Sequence, residues 1–157
     1  MANSMKKLIL IELANILQQG LPWAKKVNYE IIRTGFQGFL AHEIPCIQII
    51  DQTNVRDPEQ LRDRNTWILA VQLILKSQST DFVDQGILFD RMNDMIKLIG
   101  ENTQMNVTPV NLGDSFLQIR PIAEVTDIHS ETPFFIGELN LECIFYTGTR
   151  GPCGPGS

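Results

Sequence analysis

The chain is poor in the residues that most often carry chemistry. It holds 2 histidines and 3 cysteines in 157 residues, and neither His42 nor His129 has a second histidine or cysteine at metal-ligand spacing. His42-Glu43 opens like a zinc-protease motif, but Ile44, Pro45 and Cys46 follow where the second histidine would have to come, so no metal is expected. The odd cysteine count, with Cys46 and Cys143 set among apolar residues, argues against a disulfide framework and for buried, protonated thiols rather than nucleophiles. Gly35-Phe36-Gln37-Gly38 lacks the lysine and following helix of a phosphate loop, so no nucleotide or other cofactor is expected. Asp90 and Asp94 share a helical face but read as solvated, and no catalytic residue is expected.

Long apolar runs and excess positive charge are missing as well. The run Leu8 to Ile11 is far too short to span a bilayer. Glu12, Asn15, Gln18 and Gln19 spoil the hydrophobic region of a signal peptide, so the expectation is a product of the cytoplasm with no membrane association. With 13 Lys+Arg against 18 Asp+Glu the net charge is -5, which argues against a chain whose main task is to neutralise nucleic-acid phosphates.

What is present is an ordinary core former, 43% hydrophobic and 20% charged, of a length that suits one domain. We place that domain at residues 1–147. Residues 148–157, GTRGPCGPGS, have no means of burying themselves and read as a flexible tail, either a terminal arm or a cloning remnant.

Two segments have helical periodicity. From Ser4 to Gln19 the apolar residues Met5, Leu8, Ile9, Leu13, Ile16 and Leu17 form one stripe, with Asn3 or Ser4 as cap and Gly20 as a left-handed stop. After a cap at Ser79, Thr80 or Asp81, a second stripe runs through Phe82, Leu88, Met92, Met95, Ile96 and Ile99, with Lys97 in the last turn and Gly100 at the stop. Gly86 predicts either a helix that begins after it or a close packing contact there.

Strand periodicity marks the rest. Lys26 to Thr34 and Pro45 to Asp51 read as short strands. Thr66 to Ser77 puts Trp67, Leu69, Val71, Leu73 and Leu75 on one face and mainly apolar residues on the other, the pattern of a central strand or of an interface strand. Phe116 to Thr147 reads as a long hairpin in which Leu139, Leu141, Cys143 and Phe145 alternate with Glu138, Asn140, Glu142 and Tyr146, Ile144 alone breaking the pattern. A slip of one residue would bury both glutamates, so this hairpin sets the register of the sheet. Gln52 to Asn65, carrying Arg56, Asp57, Glu59, Arg62, Asp63 and Arg64, predicts a long polar connection, either functional or a solvated charge run. Phe36 and Phe39 flank glycines and read either as core packing or as a subunit contact.

In order and texture the chain resembles the tail terminator proteins of tailed bacteriophages. The resemblance rests on the SMKKLILIELANILQQGLP helix, the TWILAVQLILKS strand, the FVDQGILFDRMNDMIKLIG helix and the ELNLECIFYT strand, and it covers almost all of residues 4–147. It implies an α+β subunit, a largely antiparallel sheet with two amphipathic helices packed on one face. It also implies a homo-oligomer, a hexameric ring that caps the tail tube protein, stops its polymerisation and meets the head-side connector protein. Such a subunit is no enzyme. It belongs to the virion, in the tail or neck, after assembly in the host cytoplasm, and DNA passes its channel without specific binding. On that reading Phe36, Phe39, Arg56, Arg62, Arg64 and His129, the last in the loop Asp127 to Thr132, are expected at contacts between subunits or rings, and Glu138 and Glu142 line the channel. The rival expectations are a head-tail completion (neck) protein and, further off, a ligand-binding domain or enzyme with a pocket between helices and sheet.

Overall fold

The computed structural model describes residues 4–28, 44–59, 61–76, 81–125 and 134–148, the side chains of 81–85, 134 and 135 excepted. Phe36, Phe39, His129, the loop Asp127 to Thr132, the expected strand beyond Asn28, the cap positions Ser79 and Thr80 and the tail beyond Gly148 lie outside the described residues.

The element order is α1 (Met5–Gly20), β1 (Lys26–Asn28), β2 (Cys46–Pro58), β3 (Asp63–Lys76), α2 (Asp81–Glu101), β4 (Ser115–Val125) and β5 (Phe134–Thr147). The strands form a five-stranded sheet in the order β1-β2-β3-β5-β4. Only β1 and β2 pair in parallel; β2–β3, β3–β5 and β4–β5 are antiparallel. The fold is thus α+β with a largely antiparallel sheet. β3 occupies the middle, as its two apolar faces require.

Both helices supply one core. Met5, Ile9, Leu13 and Leu17 of α1 and Leu88, Met92, Met95 and Ile99 of α2 share a buried cluster with Ile47, Ile49, Trp67, Leu69, Val71, Leu73, Leu139, Leu141 and Phe145. These sheet residues alternate along their strands, so they define one face, and β5 pairs with β3 in the register that keeps Leu139 opposite Val71 and Leu141 opposite Leu69. Each such fully buried aliphatic side chain contributes about 1.5–3 kcal/mol. On the opposite face, uncovered by either helix, a small second cluster joins Ile44, Cys46, Ile74 and Ile136.

Local signals hold in part. Ser4 caps α1, its Oγ accepting from the Lys7 amide at 3.2 Å. The left-handed stop at Gly20 does not occur, because the helix includes Gly20 and its C-cap is Leu21 at φ -122. Gly20 instead leaves room for a side chain: a Cβ there would lie 2.6 Å from the Leu98 methyls of α2, which would have to turn aside. Gly137 serves the same end on β5, where a Cβ would lie 2.8 Å from the Met92 sulfur and 3.0 Å from Leu88, so side chains of α2 rest directly on the strand at this point. At Gly86 both alternatives fail: α2 runs straight through it and a Cβ would meet nothing within 4 Å. α2 also continues past Gly100 to Glu101, which leaves Lys97 one turn short of the end.

The largest departure is Gln52 to Asn65. It is no loop: β2 continues to Pro58, β3 begins at Asp63, and the register runs from Thr53 opposite Ile68 to Pro58 opposite Asp63. The turn is closed by the Glu59 amide donating to the Arg62 carbonyl at 2.8 Å. Polar side chains support this extension by bonding one another. Asn65, fully buried, accepts from Asn54 Nδ2 at 3.0 Å and Arg56 Nε at 3.3 Å, and its Nδ2 donates to Thr147 Oγ1 at 3.0 Å. A strand stabilised by polar cross-strand pairs carries no hydrophobic alternation, which is why its sequence resembles a connection.

Candidate assembly surfaces

The three arginines expected to act together are divided by the pleat. Arg56 lies opposite Asn65, on the same face as Trp67 and Phe145, and is held within the hairpin by Asn65 and by Asp63 Oδ2 at 3.7 Å. Arg64 pairs in register with Asp57 and Tyr146 on the face opposite the helices. The Arg62 guanidinium lies 3.9 Å from the Tyr146 ring centre and its Nε 3.9 Å from Glu59. Arg62 and Arg64 therefore flank Tyr146 at one end of the sheet, while Arg56 serves the hairpin itself. Among the described residues no carboxylate forms an ion pair with Arg64, and its Nε is sealed from solvent without an acceptor. Leu61, in the same turn, is 75% exposed. The reading of the segment as a solvated run passed over it; a lone leucine between arginines at a turn was the only available signal.

Glu138 and Glu142 point to the face opposite the helices and are partly buried. Glu138 Oε1 accepts from Gln72 Nε2 at 3.1 Å. Glu142 is ion-paired to Arg120 at 2.9 Å, so within the subunit its charge is largely offset. Beside them Asn140 Oδ1 is sealed without a partner. Ile144, the exception in the alternation, is 5% exposed on this same face. The face thus mixes apolar, amide and paired-charge positions, with no cluster of free charge.

Among the described residues, open depressions lie on either side of α2. One, about 400 Å³, lies where the loop after α1 meets α2; there Trp23 Nε1 donates to Asp94 Oδ2 at 3.1 Å and Arg91 lies over the indole at 4.9 Å. The other, about 360 Å³, lies between α2 and the edge strand β4, lined by Phe89, Asp90, Asn93, Ile96 and Glu124. Neither contains an enclosed carboxylate pair. Among the described residues no group of three His, Cys, Asp or Glu is placed to hold a metal ion. Burial pushes the Cys143 thiol up to about 12, which keeps it protonated and unreactive. No helix among the described residues is long and apolar enough to cross a membrane.

No family model matches the sequence, and no curated protein matches it. Among solved structures the fold is similar to a chain described as "Virion of native gene transfer agent (GTA) particle". The TM-score is 0.62 at 4% sequence identity, covering 93% of this chain and 100% of that one. At this identity the likeness is one of fold.

Proposed function

We propose that this protein is a non-catalytic structural subunit of a virion, a tail terminator that assembles as a hexameric ring, caps the tail tube and joins it to the head-side connector. The observation that carries the proposal is the fold shared over 93% of this chain with the whole of a chain of a virion particle. Two features of the subunit agree with it. Among the described residues both helices pack on one face of the sheet, and the two depressions beside α2 are open rather than enclosed. In the ring, Arg56, Arg62 and Arg64 act at contacts between subunits or rings, and Glu138 and Glu142, on the sheet face opposite the helices, line the passage for DNA. Phe36, Phe39 and His129 belong to the same proposal as contact residues.

The test is assembly. Native mass spectrometry of the purified chain is expected to give a closed ring, and adding the chain to polymerising tail-tube protein is expected to stop growth and leave capped tubes. A monomer at every concentration would overturn the proposal. A ring that binds the connector protein but leaves tube growth unchanged would assign the chain to the head-tail completion proteins instead.

A further inference from the structure

Resting on the ring reading, we infer that the β2–β3 turn of one copy docks into the α2/β4 depression of the next, with Leu61 against Phe89 and Ile96 and the arginines beside it facing Asp90 and Glu124. A ring needs a heterologous contact, that is, two different patches on separate parts of one subunit that fit each other. The turn and the depression meet that condition. Register along β3 and β5 puts Glu124 opposite Leu139 and hence Val71, eight residues along β3 from Asp63. At strand rise this is about 26 Å from the turn along the sheet, so a copy cannot close on itself.

The chemistry of the two patches is complementary. The depression has an apolar wall, with Phe89 50% exposed, and two acidic residues, Asp90 and Glu124, with no basic residue among the described residues of its lining. The turn offers one strongly exposed leucine and, next to it, Arg64, which no carboxylate pairs among the described residues. Arg62 stacks on the Tyr146 ring and its ion pair to the exposed Glu59 is long, at 3.9 Å, a charge contact weak enough to be exchanged. Asp57 and Glu59 at the same end oppose the attraction in part, so the leucine supplies the anchor and the arginines the orientation. The edge strand β4 itself is a poorer partner for a neighbour's strand, because bulges between Phe116 and Gln118 and between Pro121 and Ala123 break its line.

The experiment is a disulfide trap. In a chain carrying Cys153→Ser, the pair Leu61→Cys and Asn93→Cys is oxidised and resolved without reductant, circular dichroism first establishing that the variant is folded. The two positions are too far apart within one copy to bridge, so any bond formed joins two copies. The expected result is a ladder of covalent oligomers that ends at the ring size, with neither single-cysteine variant giving more than dimers. Arg62→Glu is expected to weaken assembly about tenfold and Arg62→Glu with Glu124→Arg to recover it, the effect of one opposed and then restored charge pair. Rings that assemble but remain uncrosslinked would overturn the docking and leave the ring reading standing. A folded chain that is monomeric throughout would overturn both.

Discussion

Replacing Asn65 by leucine tests whether the extension of β2 and β3 is held by its polar pairs. The substitution keeps a buried side chain of similar size, so the cavity component is small. It removes two bonds at 3.0 Å, from Asn54 Nδ2 and to Thr147 Oγ1, and three longer ones, from Arg56 Nε at 3.3 Å and from Asn65 Nδ2 to the Asp63 carbonyl at 3.3 Å and the Phe145 carbonyl at 3.5 Å, which are strained shares of the same amide and add little. Each ordinary bond contributes about 1 kcal/mol net, and a partner left unsatisfied in a sealed place costs about 1–3 kcal/mol. Asn54 is the partner most exposed to that cost, because its Oδ1 already lacks a hydrogen bond and the leucine would leave its amide without one too. Arg56 is half exposed and regains water, so its share is discounted. The expected loss is about 3 kcal/mol. Urea denaturation read by circular dichroism should show a lower midpoint with unchanged slope, and amide exchange should accelerate first at residues 53–57 and 63–66. A loss below about 0.5 kcal/mol, the range of ordinary surface changes, would refute the view that side-chain pairing makes a strand of this segment.

Three further outcomes follow from single contacts. Gly86→Ala should stabilise by about 0.5–1 kcal/mol, since the site is helical and open, whereas Gly137→Ala should destabilise by about 1–3 kcal/mol, since its Cβ would meet Met92 and Leu88; thermal melts of the pair decide it. The folded state holds the Cys143 proton to about pH 12 while the unfolded chain releases it near 9.0, so stability should fall by up to about 1.4 kcal/mol per pH unit between those values, and Cys143→Ala should remove that part of the slope. Glu138→Lys with Glu142→Lys should slow DNA passage through the assembled particle while leaving the subunit folded, because the bonds lost to Gln72 and Arg120 lie at a partly exposed face. Unchanged DNA ejection would remove the lining role from both glutamates.

What the sequence by itself determined was whatever a single element decides alone. The stripes of α1 and α2, the two-sided apolar pattern of β3 and the alternation of β5 each follow from which residues one helix or strand must hide, and all four elements lie where that rule puts them. The tertiary structure decided what depends on a partner distant in the chain. Gly20 and Gly137 matter through Leu98 and Met92, side chains that only the packed α2 brings near. Asn65 gives its segment strand character through Asn54 and Thr147, the latter 82 residues away, and no local window contains that pairing. Arg56 is parted from Arg62 and Arg64 by the pleat, which follows from the register of a hairpin hidden behind a polar sequence. Hydrophobic burial leaves a period in the chain, whereas polar pairing and close approach leave none, and the candidate contact surfaces here are built from the second kind.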